Sequence, residues 1–218
     1  MARHRGAAGV TGLLIVTAVE VEAEAVRAGL DGRLTVSAVG VGPAAAAAGT
    51  ARLLALAEAA GRPYQGVVCL GIGGGFAGRI NIGDIAIATH AIAADLGAES
   101  PDGFLPIDDL GFGSARFEAD PDLVAGLRAA LPGAAVGTVL TVSTVTGTAA
   151  STETLATRFP DAVAEGMEGY GVACAAAGLP FAEVRTISNV IGPRDRSSWR
   201  FPAALAALTK AGKALGLA

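Results

Sequence analysis

The sequence predicts one α/β domain in which helices cover a mixed, mostly parallel sheet. Apolar runs of strand length alternate with longer segments rich in alanine and leucine, which is typical of consecutive βα units. A chain of 218 residues is long enough to bury about 70% of its unfolded surface in one large domain. No linker-like stretch divides it, so we expect a flexible tail at 1–12 and a single domain at 13–218.

The apolar runs predict the strands, and the segments between them predict the helices. Strands are expected at 13–19, 34–39, 66–70, 84–93, 136–145, 162–165 and 181–188. Helices are expected at 22–30, 44–60, 121–131, 152–159, 169–177 and 199–215. The segment 96–116 is rich in glycine, proline and aspartate and has no clear period. A loop of that length is usually a lid, a binding loop or an oligomer contact.

The charge and the cysteines favour a small-molecule partner in a reducing compartment. The net charge is −4 and the basic residues are scattered, which argues against a nucleic-acid surface. Cys69 and Cys174 lie in apolar surroundings without paired spacing, which is typical of buried thiols. Although the mean hydropathy is +0.53, the longest uncharged stretch, 129–152, contains proline and glycines and does not suit a spanning helix. We expect a soluble, cytoplasmic protein that binds neither nucleic acid nor membranes.

Residues 40–45 fit the dinucleotide-binding pattern G-x-G-x-x-A between a predicted strand and a predicted helix. That pattern also requires an acidic residue at the end of the next strand, where this chain has Cys69-Leu70-Gly71. A tight turn is therefore favoured, and a dinucleotide-binding module remains a remote alternative.

A second glycine cluster, Gly71 to Gly75, follows the third predicted strand and is expected to form a loop. It lacks the Lys-Ser/Thr pair and the following helix of a phosphate-binding Walker loop. Because glycine has no Cβ, a flat base or a sugar can lie against such a backbone, with Gly73 as the expected contact. Crowding between strands explains the glycines equally well.

Carboxylates follow two of the predicted strands. Glu20, Glu22 and Glu24 come just after the first strand, and Glu168 follows the strand at 162–165. Strand ends of this kind face a common crevice, where one carboxylate can activate water and another can accept from two ribose hydroxyls. Each could also be an ordinary surface acid.

The stretch 184–199 carries polar side chains out of the last predicted strand. Ser188-Asn189 ends the apolar run, and a Gly-Pro break leads to Arg194-Asp195-Arg196. Either arginine can bind a carboxylate, or it can pair with Asp195 as an exposed clasp.

These motifs resemble the nucleoside phosphorylase superfamily in their order and spacing. The similar stretches are 14–26, 71–85, 165–168 and 184–189, and the resemblance covers 13–215. The closest branch resembles the methylthioadenosine and S-adenosylhomocysteine nucleosidases. The resemblance implies a three-layer α/β/α domain, a homodimer or higher homo-oligomer, and a nucleoside and water as the reactants. We expect no cofactor and no metal.

Carried over residue by residue, the resemblance makes Glu22 the water-activating base and makes Met167 and Glu168 the ribose-binding pair. Thr148 falls at a backbone contact to the base. Asn189 replaces the aspartate that protonates the leaving base in these relatives.

The asparagine changes the base that we expect. Cleavage passes through an oxocarbenium-like sugar, so negative charge develops on the departing base. A protonated aspartate can give its proton to N7 of adenine, whereas an amide cannot. Toward a 6-oxopurine, the Asn189 amide can donate to O6 while its carbonyl oxygen accepts the hydrogen that N7 acquires. We therefore predict hydrolysis of a 6-oxopurine nucleoside with release of hypoxanthine.

The pattern S-N-x-x-G-P-R-D-R-x-x-W resembles a branch of the superfamily that acts in an alternative route to menaquinone. The substrate of that branch is inosine-like and carries a carboxyphenyl ketone on its 5' side. Trp199 and Phe201 would supply an apolar wall for this tail, and Arg194 or Arg196 would bind its carboxylate.

Two related activities remain as alternatives. A methylthioadenosine or S-adenosylhomocysteine nucleosidase would release adenine instead. A purine nucleoside phosphorylase would need arginines or backbone donors for phosphate near the nucleophile, where this chain has glutamates after the first strand and Ile72 in the glycine cluster. Hydrolysis is therefore favoured over phosphorolysis.

Overall fold

The computed structural model describes residues 12–30, 32 and 34–217. The predicted tail therefore lies almost entirely outside the described residues.

The described residues form ten strands and seven α-helices. The strands are β1 Leu13–Thr17, β2 Thr35–Ala38, β3 Gly66–Gly75, β4 Ile85–Ala93, β5 Gly97–Ser100, β6 Gly103–Pro106, β7 Arg116–Glu118, β8 Ala135–Thr141, β9 Ala162–Gly166 and β10 Phe181–Val190. The helices are α1 Glu20–Arg27, α2 Pro43–Ala59, α3 Ile107–Leu110, α4 Pro121–Ala130, α5 Ala149–Arg158, α6 Gly169–Ala175 and α7 Phe201–Leu217, with a 3₁₀ turn at Arg196–Ser198.

Within the described part of the chain, one eight-stranded mixed sheet has the order β10-β4-β8-β9-β3-β1-β2, with β7 added to β4. Most neighbours run parallel, whereas β10–β4, β3–β9 and β4–β7 are antiparallel. Strand β10 pairs with β3 as well as with β4, so this part of the sheet closes on itself. The ends of β3, β9 and β10 are thereby held side by side.

Helices cover both faces of the sheet. The side chains of β1 alternate between two cores: Leu13 and Ile15 pack with residues of α1, α4 and α7, and Leu14 and Val16 pack with residues of α2 and α6. All five residues of β1 are buried, as expected for a strand between two helical layers. The predicted three-layer α/β/α fold is confirmed.

The second glycine cluster belongs to β3 and does not form a loop. Gly71 to Gly75 pair with β10, and Gly74 and Gly75 also pair with β9. A Cβ on Gly73 would stand 2.5 Å from the carbonyl oxygen of Glu165, which is closer than real Cβ contacts allow. The glycines therefore permit the close approach of strands, which was the alternative explanation.

The segment 96–116 contains secondary structure that its sequence does not indicate. It forms the hairpin β5–β6 and the short helix α3, and β7 begins at its last residue. None of the helices in the described residues has the length and apolar character that crossing a bilayer requires.

Candidate active site

A cavity of about 410 Å³ opens where β1, β3, β9 and β10 end. Its volume falls within the range of about 300 to 1,000 Å³ that small-molecule sites usually have. Seven of the nine residues predicted for the site line this cavity: Glu22, Gly73, Met167, Glu168, Asn189, Arg194 and Trp199. The remaining two, Thr148 and Arg196, lie outside its lining.

Glu22 lies in the first turn of α1, and backbone amides fix its carboxylate. One oxygen accepts from the amides of Ala18 at 3.0 Å and Val19 at 3.3 Å, and the other accepts from the amide of Ile72 at 2.8 Å. Burial raises the pKa of Glu22 above its ordinary value, although the Ile72 hydrogen bond and the charge of Arg185 oppose the rise. A fixed carboxylate of raised pKa is suited to take a proton from water.

Glu168 precedes α6 and is also buried, at 4% exposure. Its carboxylate accepts from the amide of Gly42 at 3.1 Å, from the amide of Met167 at 3.3 Å and from the guanidinium of Arg185 at 2.8 Å. A carboxylate has about four acceptor positions, so at least one remains for a hydroxyl of a bound sugar. Gly42 belongs to the first glycine motif, so the amide that a dinucleotide phosphate would use is already bound to the protein's own carboxylate.

Arg185 lies at the centre of a fully buried ion-pair network. Its Nε donates to Glu183 at 2.8 Å and its Nη1 donates to Glu168 at 2.8 Å, and its side chain is only 1% exposed. A Cβ on Gly71 or on Gly166 would stand 2.6 Å from the guanidinium. These two glycines thus make room for the arginine that holds Glu168 in place.

Asn189 stands near the end of β10, opposite Gly74 of β3. The register of this pairing shifts between Ile187 and Asn189, and a bulge of this kind changes the direction of a side chain. The carbonyl oxygen of the Asn189 side chain accepts from the Ser188 hydroxyl at 2.8 Å, and its amide donates to the carbonyl of Val190 at 3.1 Å. One amide hydrogen and one lone pair remain for a ligand in the cavity.

The segment from Arg194 to Phe201 forms one rim of the cavity. The rings of Trp199 and Phe201 meet edge to face at 5.4 Å, and Cζ of Arg194 lies 5.0 Å from the centre of the Trp199 ring. The guanidinium of Arg196 lies 6.0 Å from the same ring, outside the cavity lining. Of the two arginines, Arg194 is therefore the one placed to meet a ligand.

Asp195 is held by Ser197, and within the described residues no arginine forms an ion pair with it. Its carboxylate accepts from the amide of Ser197 at 2.9 Å and from the hydroxyl at 2.6 Å. These hydrogen bonds lower the pKa of Asp195. The sequence also allowed an exposed ion pair between Asp195 and a neighbouring arginine, but in the structure the carboxylate is hydrogen-bonded to Ser197 instead.

Thr148 caps helix α5, where its hydroxyl oxygen accepts from the amide of Ser151 at 3.1 Å. Two residues earlier in the same loop, Thr146 lines the cavity instead. Both the amide and the hydroxyl of Thr146 donate to the carboxylate of Glu165, at 2.9 and 2.5 Å.

Sequence reasoning assigned no role to Glu165 or Arg185, although both are parts of the site. Glu165 lines the cavity at 4% exposure, and burial raises its pKa while the two hydrogen bonds from Thr146 oppose the rise. The available signal was a charged residue inside an apolar strand: Glu165 in β9, and Glu183 with Arg185 in β10. Such residues are almost never fully buried unless they are paired.

Comparison with known proteins identifies the family of the chain. The sequence model of the phosphorylase superfamily matches residues 14–217. The chain is 51% identical to the futalosine hydrolase of Streptomyces coelicolor, covering 91% of this chain and 92% of that protein. It is 47% identical to the futalosine hydrolase of Acidothermus cellulolyticus, covering 94% and 90%.

The fold is also that of solved relatives. The structure of the futalosine hydrolase of Helicobacter pylori superposes with a TM-score of 0.78, covering 94% of this chain and 97% of that one at 18% identity. The family inferred from the sequence motifs is confirmed. The chain therefore belongs to the phosphorylase superfamily and, within it, to the futalosine hydrolase family.

Proposed function

We propose that this protein hydrolyses the N-glycosidic bond of futalosine, releasing hypoxanthine and leaving dehypoxanthine futalosine. The identity of 51% and 47% to two futalosine hydrolases over nearly the whole chain carries the proposal. The cavity supports it independently, because the base, sugar and water each find a suitable group among its lining residues.

Glu22 is the general base for the attacking water. Three backbone amides hold its carboxylate at the end of β1, so the group cannot turn away from the cavity. The pKa raised by burial makes the carboxylate a stronger base than an exposed glutamate. General-base catalysis of this type contributes about 10² to 10⁴ in rate.

Glu168 binds the ribose hydroxyls, with Met167 packed beside the sugar. Arg185 and the amide of Gly42 fix the carboxylate from the protein side. Its negative charge also stabilises the positive charge that develops on the sugar in an oxocarbenium-like transition state.

Asn189 stabilises the departing base. Its free amide hydrogen donates to O6 of a 6-oxopurine, and its carbonyl oxygen accepts the hydrogen that N7 acquires from solvent, which balances the proton that Glu22 takes from the attacking water. The Ser188 hydroxyl orients this amide by donating to the same carbonyl oxygen. Charge that leaves the sugar is thereby received at the O6 and N7 edge of the base.

The rim formed by Arg194, Trp199 and Phe201 receives the 5' tail of the substrate. The paired aromatic rings offer an apolar wall, and Arg194 lines the cavity beside them. A guanidinium can bind the carboxylate of such a tail through two parallel hydrogen bonds.

The rival activity is phosphorolysis, and a direct assay separates the two. Three buried carboxylates, Glu22, Glu165 and Glu168, line the cavity and would repel a phosphate dianion. Futalosine is incubated with the protein in phosphate-free buffer and in phosphate, and the products are separated by chromatography. We expect hypoxanthine at the same rate in both buffers. A strict requirement for phosphate, or faster release of adenine from the 6-amino counterpart, would overturn the proposal.

We further propose that the protein acts in the cytoplasm as a homodimer or higher homo-oligomer, in a route to menaquinone. Phe112, which follows α3, is 82% exposed, and we expect it to pack against a second copy of the chain. Sedimentation of the purified chain tests the oligomeric state, and a monomer at micromolar concentration would contradict it.

A further inference from the structure

Glu165 and Asn189 reach the cavity from opposite sides of one glycine. In the sheet, Gly74 of β3 pairs with Glu165 of β9 on one side and with Asn189 of β10 on the other. A Cβ on Gly74 would stand 3.4 Å from Nδ2 of Asn189 and 3.7 Å from Cγ of Glu165. The methyl Cγ2 of Ile191 is nearer to that position, at 2.5 Å. Because paired residues of neighbouring strands share a face, the side chains of Glu165 and Asn189 lie on the same side of the sheet, and both line the cavity.

The carboxylate of Glu165 is fixed but not neutralised. The amide and hydroxyl of Thr146 occupy two of its roughly four acceptor positions. Among the residues that the structure describes, no cationic side chain forms an ion pair with it. A buried carboxylate in this state is stabilised by any further hydrogen-bond donor that a ligand brings into the cavity.

The two kinds of purine differ at the atom beside C6. A 6-oxopurine carries a hydrogen on N1, next to O6, whereas N1 of a 6-aminopurine carries only a lone pair. If Asn189 binds the O6 and N7 edge, the N1 edge faces the neighbouring group across Gly74, which is Glu165. The carboxylate would accept from N1–H of the first base and would repel the lone pair of the second.

We propose that Glu165 is a specificity-determining residue that accepts a hydrogen bond from N1–H of the 6-oxopurine base and so excludes 6-aminopurines. This inference rests on the proposed function and names a determinant of base choice separate from Asn189. A site whose buried polar group is left unpaired by the wrong substrate can discriminate by factors of about 10⁴. Glu165 also anchors Thr146 of the cavity wall, so a purely structural role is the explanation to be tested against it.

The test compares hypoxanthine with 1-methylhypoxanthine, which lacks the N1 hydrogen, as competitive inhibitors of futalosine cleavage. For the wild type, we expect 1-methylhypoxanthine to inhibit at least about a hundredfold more weakly than hypoxanthine. In Glu165→Ala, which removes the acceptor and makes room for the methyl group, the two inhibition constants should lie within about tenfold of each other. The exposed Glu153→Gln on α5 serves as the matched control and should keep the wild-type ratio.

A second variant keeps the inference testable if Glu165→Ala does not fold. Glu165→Gln keeps an oxygen for the Thr146 amide, and it should lower kcat/KM for futalosine while raising it for the 6-amino counterpart. A loss by the same factor for both substrates would show that Glu165 only supports the wall, and equal inhibition of the wild type by the two bases would also overturn the inference. If the wild type does not release hypoxanthine from futalosine at all, the proposed function fails instead, so the two failures are distinguishable.

Discussion

Replacing Arg185 by methionine should destabilise the fold by about 3 to 5 kcal/mol. The substitution keeps an unbranched side chain of similar length but removes the charge that Glu183 and Glu168 share, and these carboxylates are 0% and 4% exposed. Removing one partner of a buried ion pair costs about this amount because the remaining charge is left in the protein interior. Since a domain has about 5 to 15 kcal/mol of stability in total, the variant should lose about a fifth or more of it.

The pH dependence identifies the cause of that loss. Burial already raises the pKa of Glu183, and without the charge of Arg185 it rises further above the unfolded value of about 4.3. A carboxyl whose folded pKa is raised costs stability when it is ionised, and that cost disappears as the pH falls and the group takes up a proton. The difference in unfolding free energy between wild type and variant should therefore shrink as the pH falls from 7 toward 5.

Urea unfolding followed by circular dichroism measures both effects. The exposed Arg128→Met on α4 is the matched control and should change the free energy of unfolding by less than about 0.5 kcal/mol. The double variant Glu183→Gln/Arg185→Met should recover part of the loss, because one of the two unpaired charges is gone. A loss below about 1 kcal/mol for Arg185→Met, or one that does not change with pH, would refute the reasoning.

Three predictions concern activity. Glu22→Gln should lower kcat by about 10² to 10⁴. In the wild type, kcat/KM should fall on acidification through a pKa above 4.5, because burial raises the pKa of the base and protonation inactivates it. A profile that stays flat down to that pH would argue against this role. Asn189→Asp should lower hypoxanthine release and raise cleavage of the 6-amino counterpart, and unchanged kinetics would show that the side chain does not touch the base. Arg194→Gln should raise KM about tenfold or more for futalosine but not for inosine, which lacks the tail carboxylate. Arg196→Gln should leave both KM values unchanged. Equal effects of the two variants would contradict the assignment to Arg194.

The sequence predicted the layers of the fold better than the ends of its elements. Continuous apolar runs of strand length identify buried strands, because burial on both faces leaves no room for polar side chains. Gly71 to Gly75 were expected to be a loop because glycine has a low strand propensity, yet pairing with β10 and β9 keeps them extended. The hairpin β5–β6 has half-buried, glycine-containing strands of four residues, which leave too short a pattern to recognise.

The site was predictable where the chemistry lies in neighbouring residues and not where it depends on pairing between distant strands. Glu22 and Glu168 follow strands whose ends face the crevice and Asn189 lies near the end of another, so their position along the chain places them near it. Glu165 comes to the cavity through its pairing with Gly74, and nothing in the sequence near either residue indicates that pairing. Thr148 was predicted to make a backbone contact to the base, whereas Thr146, two residues earlier, is the threonine that lines the cavity. A loop has no periodic pattern that fixes which of its residues points inward.

The contact between Glu168 and Gly42 joins segments 126 positions apart and ties the start of α2 to the start of α6. A carboxylate that holds two helices together cannot swing out to meet a sugar. The Glu168 carboxylate is therefore preorganised, and the substrate must place its sugar where this carboxylate already lies. Any adjustment needed for entry and exit falls to the exposed rim between Arg194 and Phe201, so changes there should alter the rate of binding and release while leaving the bond-breaking step unchanged.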